Sequence, residues 1–365
     1  MSFILENNLR ENIKKLSPYS SARAEYKGKE GVFLDANENS FGSPIQLGNN
    51  SPFEEGKRDV SILLNRYPDP LQISVKEKLG KIKGLPIENI FLGNGSDEAI
   101  DILFRAFCYP GKDNVIICPP TYGMYEVSAN INDVKIQKIS LLPETFQLDT
   151  YNILKAIDEN TKLIFICCPN NPTGNGVAWD SIKSILEEFN GVVVLDEAYI
   201  NFSRYKSRIP ELLNYPNLVI LQTLSKAWGL AGLRVGIAFA SEPIIDIFNK
   251  IKPPYNINVV SQGLVLEALN NVDRVNSWIK EIVSEREKLS VELSELSFVL
   301  KVYPSDANFI LVKTINANRI YDYLIKNQIV IRNRSAIELC EGCLRITIGT
   351  KEQNEQIVEK LKQYK

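Results

Sequence analysis

The residues with the clearest capacity for chemistry lie in one short run, Thr223-Leu224-Ser225-Lys226-Ala227-Trp228-Gly229-Leu230-Ala231-Gly232-Leu233-Arg234. A solvated lysine needs no neighbouring hydroxyl, glycines or arginine. A lysine holding a phosphorylated aldehyde needs most of them, because a hydroxyl and a guanidinium bind phosphate. Ser225 and Arg234 supply such donors, and Gly229 and Gly232 permit close approach. The chain contains no histidine, so the usual proton shuttle near neutral pH is absent. Lys226 is the leading group to move a proton in its place.

Three further runs precede it in order. Gly93-Asn94-Gly95-Ser96-Asp97-Glu98 sits at a strand-to-helix turn. Either Ser96 caps the helix, or the free N–H groups and the helix dipole hold a phosphate. Cys168-Pro169-Asn170-Asn171-Pro172-Thr173-Gly174 ends a strand. It is either a Pro/Asn/Gly turn or a rigid mount for an amide donor, Asn171. In Val194-Leu195-Asp196-Glu197-Ala198-Tyr199, an aspartate closes an apolar strand. It either caps a helix or awaits a cationic partner, since burying it unpaired is costly.

The elements that must position these groups alternate β and α from about residue 90, which predicts a mostly parallel α/β sheet. Strands are expected at 114–118, 134–139, 163–168, 192–196, 218–222 and 235–240, with helices at 96–107, 180–188 and 243–250. Near-continuous Val and Ile suit strands covered on both faces. A long amphipathic helix is expected over 259–296, bridging to a smaller unit with strands at 298–303, 309–313, 330–333 and 344–348 and helices at 317–326 and 352–363. The fold class is therefore α/β: a large domain, 37–265, with a mostly parallel central sheet flanked by helices, and a smaller α/β domain, 266–365, joined by the N-terminal segment 1–36. Residues 40–65 read as a long loop.

A length of 365 residues predicts more than one unit. A formal charge of -2 argues against a nucleic-acid or anionic-membrane surface. We find no signal peptide or membrane-length apolar run, and expect a cytoplasmic protein. The CxxC at Cys340 and Cys343 lacks a second pair or a histidine, and is expected to be structural, with no metal site.

Together the four runs resemble the fold-type I, pyridoxal-phosphate-dependent aminotransferases of class I/II, over nearly the whole chain. The resemblance implies that Lys226 tethers the cofactor and then acts as base. It implies that Asp196 pairs with the pyridine nitrogen, that Tyr199 and Asn171 bond the ring oxygen, and that Tyr122 stacks on the ring. Gly95, Ser96, Asp97, Ser225 and Arg234 would hold the phosphate, with Thr223 assisting. Tyr67, in Arg66-Tyr67-Pro68-Asp69-Pro70, is similar to the tyrosine that crosses a homodimer interface to the partner's cofactor.

Within that group, Leu16-Ser17-Pro18-Tyr19-Ser20-Ser21-Ala22-Arg23, Val330-Ile331-Arg332-Asn333-Arg334 and Cys343-Leu344-Arg345-Ile346-Thr347 resemble the histidinol-phosphate aminotransferase family. The likeness implies that Arg332 and Arg345 grip a substrate phosphate, with Arg345 also serving a carboxylate. Tyr19 would line the imidazole pocket and Arg23 would assist with the anion. Small-molecule partners follow: histidinol phosphate, and glutamate with 2-oxoglutarate. An aromatic or other amino acid transaminase, or a phospho-amino-acid decarboxylase of the same fold, is the alternative. One departure is a longer stretch between Asn39 and Arg66.

Overall fold

A computed structural model describes residues 3–17 and 64–364. The Val/Ile-rich runs form one seven-stranded sheet. Its strands are β1 (Ile90–Asn94), β2 (Asn114–Ile117), β3 (Lys135–Lys138), β4 (Thr161–Cys167), β5 (Val192–Asp196), β6 (Leu218–Thr223) and β7 (Val235–Phe239), in the order β1-β7-β6-β5-β4-β2-β3. Only β7 runs antiparallel to its neighbours.

Alternation along each strand explains the apolar runs. Val192 and Val194 pack on one face, among side chains of the Ser96–Phe107 and Glu242–Ile251 helices. Val193 and Leu195 pack on the other, with Ile182, Ile185 and Leu186 of the Trp179–Glu188 helix. Each fully buried aliphatic side chain contributes roughly 1.5–3 kcal/mol, so the sheet's centre is its most firmly held part.

A second, antiparallel sheet comprises β8 (Val299–Val302), β9 (Phe309–Thr314), β10 (Arg332–Asn333) and β11 (Cys343–Thr347), in the order β10-β11-β9-β8. It has its own core, with Leu289, Leu293, Ile320, Leu324, Ile357 and Leu361 packed on Ile310, Val312 and Ile346. Cys340 and Cys343 are buried in the larger core and, like the other four cysteines, are free. Among the described residues, no helix is long and apolar enough to cross a membrane.

Two expectations are corrected. The single helix over 259–296 is two, Val259–Ala268 and Val272–Ser294. Between them, Asn271 turns its side-chain amide onto the Glu267 carbonyl at 3.0 Å, a local bond that competes with the helix. The second correction concerns the N-terminal segment, which was expected on the smaller unit. Residues 3–17 instead pack on the large sheet's helical layer, with Leu9 and Ile13 in the same core as Phe104 and Phe107. Asn8 donates to the Asn190 carbonyl at 3.0 Å, and Arg10 to the Arg105 carbonyl at 3.0 Å. The apolar side chains at Leu9 and Ile13 bury against the nearest apolar surface. Residues 18–36 lie outside the described set.

Candidate active site

Parallel strands end on one edge, and β4, β5 and β6 deliver Cys167, Asp196 and Thr223 there. Cys167 is in register with Asp196. The cavity above them is lined by Gly95, Ser96, Asp97, Tyr122, Asn171, Asp196, Tyr199, Thr223, Ser225, Lys226 and Arg234. Every residue expected to hold the cofactor is there except Tyr67.

Asp196 is 3% exposed. Its carboxylate accepts from the Tyr125 hydroxyl at 2.6 Å and from the Ala198 N–H at 3.0 Å. The local turn bond therefore exists alongside a longer-range one. Burial raises its acid above the usual carboxylate value, and these two bonds oppose the shift only in part. The Lys226 charge ranks last among the influences on it, behind the repulsion from Asp97. Among the described residues no cation forms an ion pair with this buried carboxylate, and such a group is a place prepared for one.

At the cavity's other end the Ser96–Phe107 helix begins. Gly95 is its N-cap, at φ 80, with no side-chain cap bond. The first N–H groups thus lack a capping side chain, and Ser96 is the first helical residue rather than the cap. A Cβ on Gly95 would stand 2.7 Å from Arg234 Nη2, so glycine lets the guanidinium close over the helix end. Arg234 holds left-handed backbone, φ 56, and its carbonyl accepts from the Gly95 N–H at 2.7 Å. A Cβ at Gly229 or Gly232 meets no protein atom within 4 Å, whereas a Cβ at Gly236 would lie 2.1 Å from Ser96 N, so Gly236 lets β7 pack against the helix start. Thr223 Oγ1 accepts from the Ser225 N–H at 3.1 Å and shapes the turn before Lys226. Asp97 takes the Tyr122 hydroxyl at 3.1 Å, leaving its backbone N–H as its contribution to the helix end.

Lys226 reaches into this space with Nζ 5.6 Å from the Tyr199 ring centroid. Burial, then the Arg345 charge, pull its amine below the ordinary lysine value. Burial pushes the Tyr199 hydroxyl up, opposed by Arg345 and Arg334. Asn171 accepts from Arg345 Nη1. An arginine can only donate, so it takes the amide oxygen and leaves the Asn171 NH2 as the donor on the cavity side.

Arg345 lies on β11, directly across from Arg332 on β10. Its guanidinium carbon is 5.1 Å from the Phe309 ring centroid. Burial, followed by Arg334, pushes its pKa down to about 10. Arg345 bonds Asn171, which lines the cavity, and Arg332 is exposed; neither arginine is itself among the lining residues. Tyr67 stands apart: it is 52% exposed and stacks on Tyr255 at 4.5 Å. Tyr19 and Arg23 lie outside the described residues.

Three neighbours were not singled out from sequence. Tyr125 is fully buried and stacks on Phe165 at 4.8 Å while bonding Asp196. It lies in the first turn of the Met124–Ile131 helix, whereas Tyr122 precedes that helix's cap. Cys167 lines the cavity beside Asp196, and in sequence it read only as strand core. Arg334 lies two residues beyond Arg332, and only the strand register gives it meaning.

Residues 31–361 match the family model described as aminotransferase class I and II. The chain is 53% identical, over 364 residues and 100% of both chains, to the histidinol-phosphate aminotransferase of Cytophaga hutchinsonii. Its structure is similar to that of the Clostridium acetobutylicum histidinol-phosphate aminotransferase, with TM-score 0.75, 25% identity, and 82% and 90% of the two chains covered. It shares its fold with the Sinorhizobium meliloti histidinol-phosphate aminotransferase solved with pyridoxal-5'-phosphate, with TM-score 0.75, 22% identity, and 82% and 83% covered.

Proposed function

The chain belongs to the aminotransferase class I and II family, and from that premise we propose that it interconverts L-histidinol phosphate plus 2-oxoglutarate with imidazole acetol phosphate plus L-glutamate, in histidine biosynthesis. Pyridoxal phosphate is the cofactor in this reading. The observation that carries it is the cavity's charge pattern: an uncapped helix end under Arg234 at one end, and a buried carboxylate lacking a cation at the other.

The residues present suit that cofactor. Asp196 would hold its ring nitrogen, and Tyr125 orients the carboxylate that does so. Asn171 and Tyr199 would donate to the ring oxygen, with the Asn171 amide turned the right way by Arg345. The Gly95–Asp97 backbone, Ser225 and Arg234 would take the phosphate, and Tyr122 would lie against the ring. When bound, pyridoxal phosphate supplies an electron sink and a carbonyl carbon that exchanges an amino group.

Lys226 would have two tasks: its Nζ would hold the cofactor, and as a free amine it would take the proton from the substrate's Cα. Its lowered pKa raises the fraction of free amine near neutral pH. Arg345 and Arg332 would grip the phosphate of histidinol phosphate, and Arg345 would also take the α-carboxylate of glutamate. Tyr19 and Arg23 complete the substrate end. The enzyme works as a cytoplasmic homodimer in which the partner's Tyr67 reaches the cofactor phosphate.

The test is an amino-donor panel with purified, cofactor-loaded protein. Histidinol phosphate should turn over far faster than phenylalanine or free histidinol. Faster turnover of phenylalanine would replace the substrate, and release of CO2 from a phosphorylated amino acid would replace the reaction.

A further inference from the structure

β10 leads into a third arginine, and the register fixes its direction. Arg332 lies opposite Arg345 and Asn333 opposite Leu344, and the Arg334 N–H then donates to the Cys343 carbonyl at 2.9 Å. Side chains alternate across a strand, so Arg334 shares the face of Arg332 and Arg345. Arg334 is half-buried, whereas Arg332 is exposed. The Nε atoms of Arg334 and Arg345 are both shut off from water and have no hydrogen-bond partner. Among the described residues no carboxylate pairs with any of the three. Arg334 is the foremost charge depressing Arg345, and both act on Tyr199, which lines the cavity. Three arginines therefore share one face of the sheet, two of them acting on Tyr199 at the cavity, and among the described residues none of the three is paired with a carboxylate.

Such a cluster is costly unless a ligand completes it. The two candidate anions differ. A carboxylate carries one charge and two oxygens, which one guanidinium fork can satisfy. A phosphate monoester carries about two charges and three terminal oxygens near neutral pH, and accepts a further fork. We propose that Arg334 is the residue that makes this subsite favour a phosphate monoester over a carboxylate. The inference rests on the aminotransferase reading above, and adds to it a residue and a basis for discrimination. Arg345 serves both anions. Arg334 engages only the larger, more highly charged one.

The experiment measures kcat and KM of the loaded enzyme for histidinol phosphate, histidinol and glutamate in the wild type, Arg334→Gln, Arg334→Lys and Arg345→Gln. Loss of one charge-assisted contact predicts that Arg334→Gln lowers kcat/KM for histidinol phosphate by about 30-fold, mainly through KM, with the other two donors changed less than about threefold. Arg334→Lys keeps the charge without the fork and should fall between; it also serves if the glutamine variant does not fold. Calorimetric titration with inorganic phosphate gives a readout without turnover, and Arg334→Gln should weaken that binding by about tenfold. Equal losses on all three donors, or unchanged phosphate binding, would overturn the role of Arg334. If wild-type enzyme does not prefer histidinol phosphate to histidinol, or Arg345→Gln spares both anionic donors, the parent reading of the site falls instead.

Discussion

Two regions of this protein hold charge that the described residues do not pair, and they do so with opposite signs and on different scaffolds. At the end of β5, one carboxylate, Asp196, is buried, and among the described residues no cation forms an ion pair with it. Around β10 and β11, three arginines share a sheet face, and among the described residues none of them pairs with a carboxylate. The first lies in the middle of a seven-stranded sheet covered on both faces. The second lies toward the edge of a four-stranded sheet, on β11 and around the two-residue edge strand β10. A fixed partner suits the rigid centre, where geometry is held by core packing. An exchanging partner suits the edge, where two substrates with different anions must come and go. The comparison assigns the cofactor to the first region and substrate discrimination to the second.

The largest expected effect bears on Lys226, which lies between the two regions and responds to both. Its amine is lowered first by burial and then by Arg345, while Asp196 opposes that shift. Lys226→Ala should reduce turnover by roughly 10,000-fold or more, through loss of the proton-transfer group. It should also remove the visible absorbance of the tethered cofactor. Turnover within tenfold of wild type would remove Lys226 from the chemistry.

Asp196→Asn tests the first region alone. It keeps shape and removes the charge, so the cofactor's ring nitrogen loses its ionic partner. Turnover should fall by about 100-fold or more, in the range seen when a group aimed at developing charge is lost. The loss should appear in kcat for every amino donor alike. A loss confined to histidinol phosphate would mean that the two regions are not separate in function.

The two regions also differed in how far sequence revealed them. Asp196, Asn171 and Lys226 stand at strand ends in runs whose composition departs from an ordinary loop, so position and chemistry were both legible. β5 was placed at its observed bounds, Val192–Asp196, because continuous Val and Leu between turn signals leave little choice. Arg334 was quoted in its motif and given no task. Its importance depends on register with Cys343 and Arg345, a long-range fact that no local pattern encodes. Tyr125 was hidden for a similar reason: its hydroxyl meets Asp196 across 71 positions of chain. Residues 3–17 pack elsewhere than expected because an apolar stripe specifies burial without specifying against what. The break at Asn270-Asn271 was missed because helical periodicity resumes in phase beyond it.

The smallest effect is expected at Tyr125, and it sharpens what unbalanced means for Asp196. Burial raises the folded-state pKa of Asp196 above its usual 3.8. In cofactor-free protein, the folded state therefore keeps a proton that the unfolded state has released. Stability from this group falls as pH rises from about 3.8 through the raised folded value, and then levels off. Tyr125→Phe removes the donor that favours the ionised form, so the fall should extend to higher pH. At neutral pH the variant should be less stable by about 1–3 kcal/mol, the cost of leaving a buried acceptor unmet. Urea unfolding of both cofactor-free proteins across pH 4–8 measures the difference. Loading with cofactor should shrink it, because a cation facing Asp196 replaces the stabilisation that the hydroxyl supplied. If the profiles of variant and wild type coincide without cofactor, Tyr125 does not tune this carboxylate. If they diverge equally with and without it, the carboxylate does not face the cofactor, and the division of labour between the two regions fails at its first assignment.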